Sequence, residues 1–83
     1  MQYDSAITGK VIRSMRKKLG ISQEVLSGLA GIGRSHLAMI ETGTKNANVE
    51  TLWRIAEALH MPLSELIRQI EEAHSTPGGT SAP

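Results

Sequence analysis

Apolar residues recur along this chain at helical spacing, and glycine interrupts the rhythm at Gly20, Gly31 and Gly43. Each glycine follows a periodic segment, where it can take the left-handed conformation that ends a helix without steric penalty. Ile12, Met15 and Leu19, spaced i, i+3 and i+7, predict the core stripe of a first helix over residues 5 to 19, capped by Asp4 or Ser5. Ser22 caps a second helix over residues 23 to 30, and a third over residues 34 to 42 turns Leu37 and Ile40 inward. Asn48 caps a fourth over residues 49 to 59, with Val49, Leu52, Ile55, Ala56 and Leu59 as one stripe. Pro62 opens a fifth that runs to residue 73 and carries Leu63, Leu66, Ile67 and Ile70 on one face. The segment STPGGTSAP has no periodicity and is rich in Pro, Gly, Ser and Thr, so residues 74 to 83 are expected to be a disordered tail behind a domain of residues 1 to 73.

No segment alternates apolar and polar residues as a half-buried strand does, so the fold class is all-α. That decides the meaning of Gly31-Ile32-Gly33. A phosphate-cradling Gly-x-Gly needs a strand before it and a helix after it. Here a helix precedes it, and the glycines instead let two short helices meet at a sharp angle, the geometry of a helix-turn-helix.

Composition narrows the picture further. At 83 residues the chain supports one small core, and without cysteine it has neither disulfides nor thiolate metal ligands. The N-terminal MQYDSAITGK lacks the basic and apolar regions of a leader, and no apolar run approaches the roughly 18 residues of a membrane span. A cytoplasmic protein with no membrane association is expected. His36, His60 and His74 are scattered with no i, i+4 pair, so neither a metal nor another cofactor is expected. No nucleophile-base pair or carboxylate dyad suggests an enzyme. The net charge of +1 hides an asymmetry: residues 1 to 48 hold seven basic and three acidic side chains, residues 49 to 83 two basic and five acidic. The basic half is suited to face a polyanion.

The stretch LGISQEVLSGLAGIGRSHLAMIETG, followed by VETLWRIAEAL and PLSEL, resembles the phage-repressor-like helix-turn-helix proteins, the xenobiotic-response-element family of bacterial and phage regulators. The likeness covers about residues 7 to 70, and it implies a compact, lambda-repressor-like five-helix bundle whose third helix enters the major groove of double-stranded DNA. It further implies that Gln23 bonds a phosphate at the start of the second helix. On the third helix, Arg34, Ser35 and Met39 stand at base-reading positions with Ala38 beside them, and His36 is added as a phosphate contact. Arg34 suits a bidentate bond to guanine O6 and N7, and Met39 or Ala38 suits a thymine methyl. Thr44, Lys45 and Asn46 are implied to meet the sugar-phosphate backbone, and Arg16 with Glu41 to form an ion pair between the first helix and the end of the third. Three positions depart from the family pattern: Ser27 where Ala is usual, Gly33 where a Ser or Thr cap is usual, and His60 where Gly is usual.

With one half-site read per domain, a homodimer on a palindromic operator is expected, through Ile67 and Ile70 while Leu63 and Leu66 cover the core. With no second domain for an inducer, control is expected from concentration, cooperativity or a protein partner. The favoured reading is a dimeric repressor. The alternative is an antitoxin-like or controller-type interaction module with DNA binding secondary, built on Val25 and Leu29, spaced i, i+4 on the second helix. Those two residues either have no function, pack under Tyr3 and Ile7, or meet another subunit. Trp53, on the flank of the fourth stripe, is expected to be partly buried.

Overall fold

The computed structural model describes residues 2–75. Five helices follow in order: α1 (Ser5–Lys18), α2 (Gln23–Ala30), α3 (Arg34–Thr42), α4 (Val49–Ala58) and α5 (Leu63–Ser75). Three of them start on a side-chain cap: Asp4 accepts from the Ala6 N–H, Ser22 from that of Val25, and Asn48 from that of Thr51. Each of these bonds satisfies a donor that the first helical turn leaves without a partner. α3 starts on Gly33, which offers no side chain, so its first N–H groups go uncapped.

The stops repeat one device. Behind α1, α2 and α3 the chain turns left-handed at Gly20, Gly31 and Gly43. The next N–H reaches back to close the turn: Ile21 to the Arg16 carbonyl, Ile32 to Ser27 and Thr44 to Met39. α4 closes in the same way, through Met61 N–H to the Ala56 carbonyl, but the left-handed residue is His60, at φ 64°. A side chain in that region is strained.

The core is aliphatic: Ile12, Leu26, Leu37, Ile40, Ile55 and Leu66 are its largest fully buried side chains. Tyr3 and Trp53, the chain's two aromatic residues, both lie at the surface. Trp53, expected to be partly buried, is 55% exposed. Leu19 and Val49 also lie outside the stripes assigned to them. Leu19 is the C-cap of α1 and Val49 the first residue of α4, where the chain is entering or leaving the helix and its face no longer points at the core. Thr8, Gly9 and Arg16 take the inward face of α1 with Ile12.

On α5 the buried row is Leu66, Ile70 and His74. Ile70 is 7% exposed inside the single chain, so it is a core residue and not a free contact for a partner helix; Ile67, beside it, is exposed. The helix continues past the expected end at residue 73 because His74 is anchored on both ring nitrogens. Nε2 accepts from the Asp4 N–H at 2.9 Å, and Nδ1 lies 2.8 Å from the Ile70 carbonyl. Tyr3 stacks on the same ring, with centroids 5.3 Å apart. The N-terminal segment therefore packs on α5, not over Val25 and Leu29. Of the expected tail, the part beyond Ser75 lies outside the described residues. Among the described residues no helix is long and apolar enough to cross a membrane.

α1 and α3 approach through Gly9. A Cβ there would collide with the backbone carbonyls of Ile40 and Glu41, whereas a Cβ on Gly28, also mid-helix, would meet nothing. Gly9→Ala is expected to lower stability by about 1–3 kcal/mol through overpacking. Gly28→Ala is expected to raise it by about 1 kcal/mol through helix propensity. Urea unfolding measures both, and a gain from Gly9→Ala would contradict the close approach.

Candidate nucleic-acid interface

α3 is only nine residues long, and its two faces divide sharply. Leu37, Ile40 and Glu41 are buried against the rest of the domain. Arg34, Ser35 and Met39 are exposed, and Ala38 and His36 are half-buried at the margins. A helix places residues i, i+1, i+4 and i+5 side by side, so Arg34, Ser35, Ala38 and Met39 make one outward surface. The four base-reading candidates are thus on a common face.

What aims this face is a cluster around one carboxylate. Glu41 receives Arg16 Nε on Oε2 at 2.7 Å and Arg16 Nη2 on Oε1 at 3.0 Å, a bidentate fork. The third guanidinium nitrogen, Nη1, donates to the Ile21 carbonyl at 2.9 Å, and Gln23 Nε2 donates to Glu41 Oε1 at 3.0 Å. Both charged residues are buried. The hydrogen bonds to Glu41 hold the Arg16 guanidinium above its ordinary pKa, against the opposing effect of burial. α1, the α1–α2 joint, the start of α2 and the end of α3 are tied at this point. The ion pair expected from the resemblance is present, and it includes Gln23, whose side chain has one N–H committed here; what it offers a phosphate is the other.

The far end of α3 is pinned by backbone contact. Ser5 Oγ donates to the Gly43 carbonyl at 2.7 Å, and a Cβ on Gly43 would lie 2.6 Å from the Ala6 Cα. The chain then folds back: the N–H groups of Thr44 and Lys45 both donate to the Met39 carbonyl, at 2.9 and 3.2 Å. Thr44 Oγ1 is 2.9 Å from the Thr42 hydroxyl. Thr44, Lys45 and Asn46 are exposed directly beyond the Met39 end of the outward face, so base-reading and backbone-binding candidates form one continuous surface. The turn before α3 is equally tight, and Ser27, buried with its hydroxyl donating to the Glu24 carbonyl at 3.1 Å, fills the corner.

Sequence reasoning passes over Gly9 and names Ser5 only as a candidate cap, a role the structure gives to Asp4. Gly9 shares its face with Ile12 and Arg16, at i+3 and i+7, and a glycine on the inward stripe of a helix was the available signal. Val25 and Leu29 are exposed, at 47% and 62%.

The family model described as helix-turn-helix matches residues 12–66. The chain is 31% identical over 74 residues to the HTH-type transcriptional regulator y4dJ of Sinorhizobium fredii, an alignment that covers 89% of this chain and 92% of that protein. It is 32% identical over 65 residues to the control protein C.MunI of a Mycoplasma species, covering 77% of this chain and 88% of the relative. Among solved structures, the restriction-modification controller protein C.AhdI of Aeromonas hydrophila superposes with a TM-score of 0.72 at 32% identity, over 75% of this chain and 94% of that one.

Removing one member of the buried pair strands the other. Glu41→Ala is expected to destabilise by about 3–5 kcal/mol, and the combined Arg16→Met, Glu41→Leu variant to recover most of that loss. Denaturant unfolding of the single and double variants checks this. A double variant as unstable as the sum of its parts would show the pair to be uncoupled.

Proposed function

The chain belongs to this helix-turn-helix family of transcriptional regulators, and on that premise we propose that it acts as a dimeric repressor, reading a palindromic operator with α3 in the major groove. The observation that carries the reading is the outward face of α3, Arg34 to Met39, aimed by the Arg16–Glu41 clamp and continuous with the 44–46 loop. Arg34, at the first turn, takes guanine O6 and N7 in a bidentate contact, Ser35 bonds a neighbouring base, and Met39 with Ala38 meets a thymine methyl. Lys45, Thr44 and Asn46 hold the phosphates that fix register, helped by His36 and the free N–H of Gln23.

One such domain buries only about 600–1,000 Å² on a half-site, too little for genomic specificity, and a second copy supplies the other half. With Ile70 committed to the core, the dimer contact falls to exposed apolar residues: Ile67 on α5, and Val49 with Trp53, spaced i, i+4 on α4. The protein works in the cytoplasm by occupancy and not by catalysis. A second reading, an interaction module, rests on the exposed Val25 and Leu29; it requires a protein complex that Val25→Glu abolishes while DNA affinity stays unchanged.

Selection from a randomised duplex pool is expected to enrich a palindrome with half-site centres about 10–10.5 base pairs apart. On that site Arg34→Ala is expected to lose discrimination at one base pair, by about 1–3 kcal/mol. Lys45→Ala is expected to weaken all sequences alike. Equal losses for both variants on selected and random DNA would refute the role given to Arg34.

A further inference from the structure

The exposed cations of this protein divide into two kinds. In the second half, each is neutralised by carboxylates of its own helix: Arg54 by Glu50 at 3.0 Å, and Arg68 by Glu65 and Glu72, each at 2.6 Å. On α1, Lys10, Arg13 and Lys17 are exposed and have no ion-pair partner among the described residues. They lie at successive spacings of three and four, so they stand above one another and repel. With Ser14 and Lys18 they border a shallow surface groove of about 470 Å³.

Their direction is fixed by Ala6. Ala6, Lys10, Arg13 and Lys17 fall at i, i+4, i+7 and i+11, a single row along one face of the helix. Ala6 packs on Gly43, immediately before Thr44, Lys45 and Asn46. The row therefore starts at the edge of the phosphate-binding loop and runs away from it for about 16 Å at 1.5 Å per residue.

Resting on the DNA-binding reading above, we propose that Lys10, Arg13 and Lys17 form a second phosphate-binding edge, which holds the DNA backbone outside the base pairs read by α3 and continues the path begun at Lys45. Duplex DNA presents a negative charge about every 1.7 Å of its axis, so three cations spanning about 10 Å of α1 meet their complement without reading sequence. The row adds affinity and salt dependence and leaves the consensus unchanged. It also gives the repulsion along α1 a purpose, since bound phosphates relieve it.

The test compares the full chain with its Lys10→Ala, Arg13→Ala, Lys17→Ala triple variant on duplexes carrying the selected site, with long and with trimmed flanks, across a salt series. Arg68→Ala, which removes a paired cation elsewhere, serves as the charge control. On long duplexes the triple variant, which removes six cations from the dimer, is expected to show a slope of log affinity against log salt shallower by about 5 units, at roughly 0.9 for each phosphate left unneutralised. Arg68→Ala keeps the original slope, and trimming the flanks brings the wild type down to the slope of the triple variant. Circular dichroism confirms that the triple variant remains folded. A wild type that binds the selected site with a slope insensitive to the triple substitution or to flank length overturns the second edge alone. A folded wild type that binds no duplex overturns the DNA-binding reading and this inference with it.

Discussion

Glu41 sits where four segments of the chain meet, and the placement of the outward face of α3 depends on it. α3 is too short to be a stable helix by itself, so its direction is set by what holds its ends. At its start there is a glycine corner with an uncapped first turn. At its end there are Glu41, bound to Arg16 and Gln23, and Gly43, pressed on Ala6. Gly9 allows the two helices to touch at backbone distance, which brings the Arg16 guanidinium within reach of the carboxylate. A buried ion pair of this kind contributes little net stability relative to a packed apolar pair. What it supplies here is geometry: a fork with two fixed bonds admits one relative orientation of α1 and α3, and so one direction for the face that carries Arg34, Ser35 and Met39.

The same arrangement explains which features were legible in the sequence. Caps and stops are local chemistry, and Ser22, Asn48, Gly20, Gly31 and Gly43 announce themselves by residue type. The outward face of α3 follows from periodicity once the helix is located, and the Arg16–Glu41 pair came from resemblance alone. Periodicity says which residues share a face but not how wide the buried arc is, or which neighbour covers it. Leu19 and Val49 continue an apolar pattern, yet each stands at a helix end and is exposed. The apolar stripe of α5 reads as broader than one core needs, which suggests a partner for Ile70; the docking of Tyr3 and Asp4 on His74 shows what covers that end of it. Gly9 was passed over because its role is a contact between segments more than thirty residues apart, invisible to any local rule.

A net charge near neutrality conceals an electrostatic design. The acidic half neutralises its own arginines in pairs along α4 and α5, and Glu65 is held below the usual carboxylate range by hydrogen bonds from Arg68 and then Gln69. In the basic half the one deeply placed cation, Arg16, serves the architecture, and the remaining ones are left outward on α1, at the start of α3 and on the 44–46 loop. The positive field of the domain therefore points from the side of α1 and α3, and the pairing pattern, more than the charge count, sets its direction.

The central claim is that DNA meets the protein on the outward face of α3 and the loop behind it. Titration of the isotopically labelled protein with a duplex carrying its selected site, followed by amide chemical shifts, tests it most directly. The largest changes are expected from Arg34 to Met39 and from Thr44 to Asn46, with Gln23 included and the exposed face of α4 little affected. Changes concentrated instead around Val25 and Leu29, with the α3 face unmoved, would contradict the account.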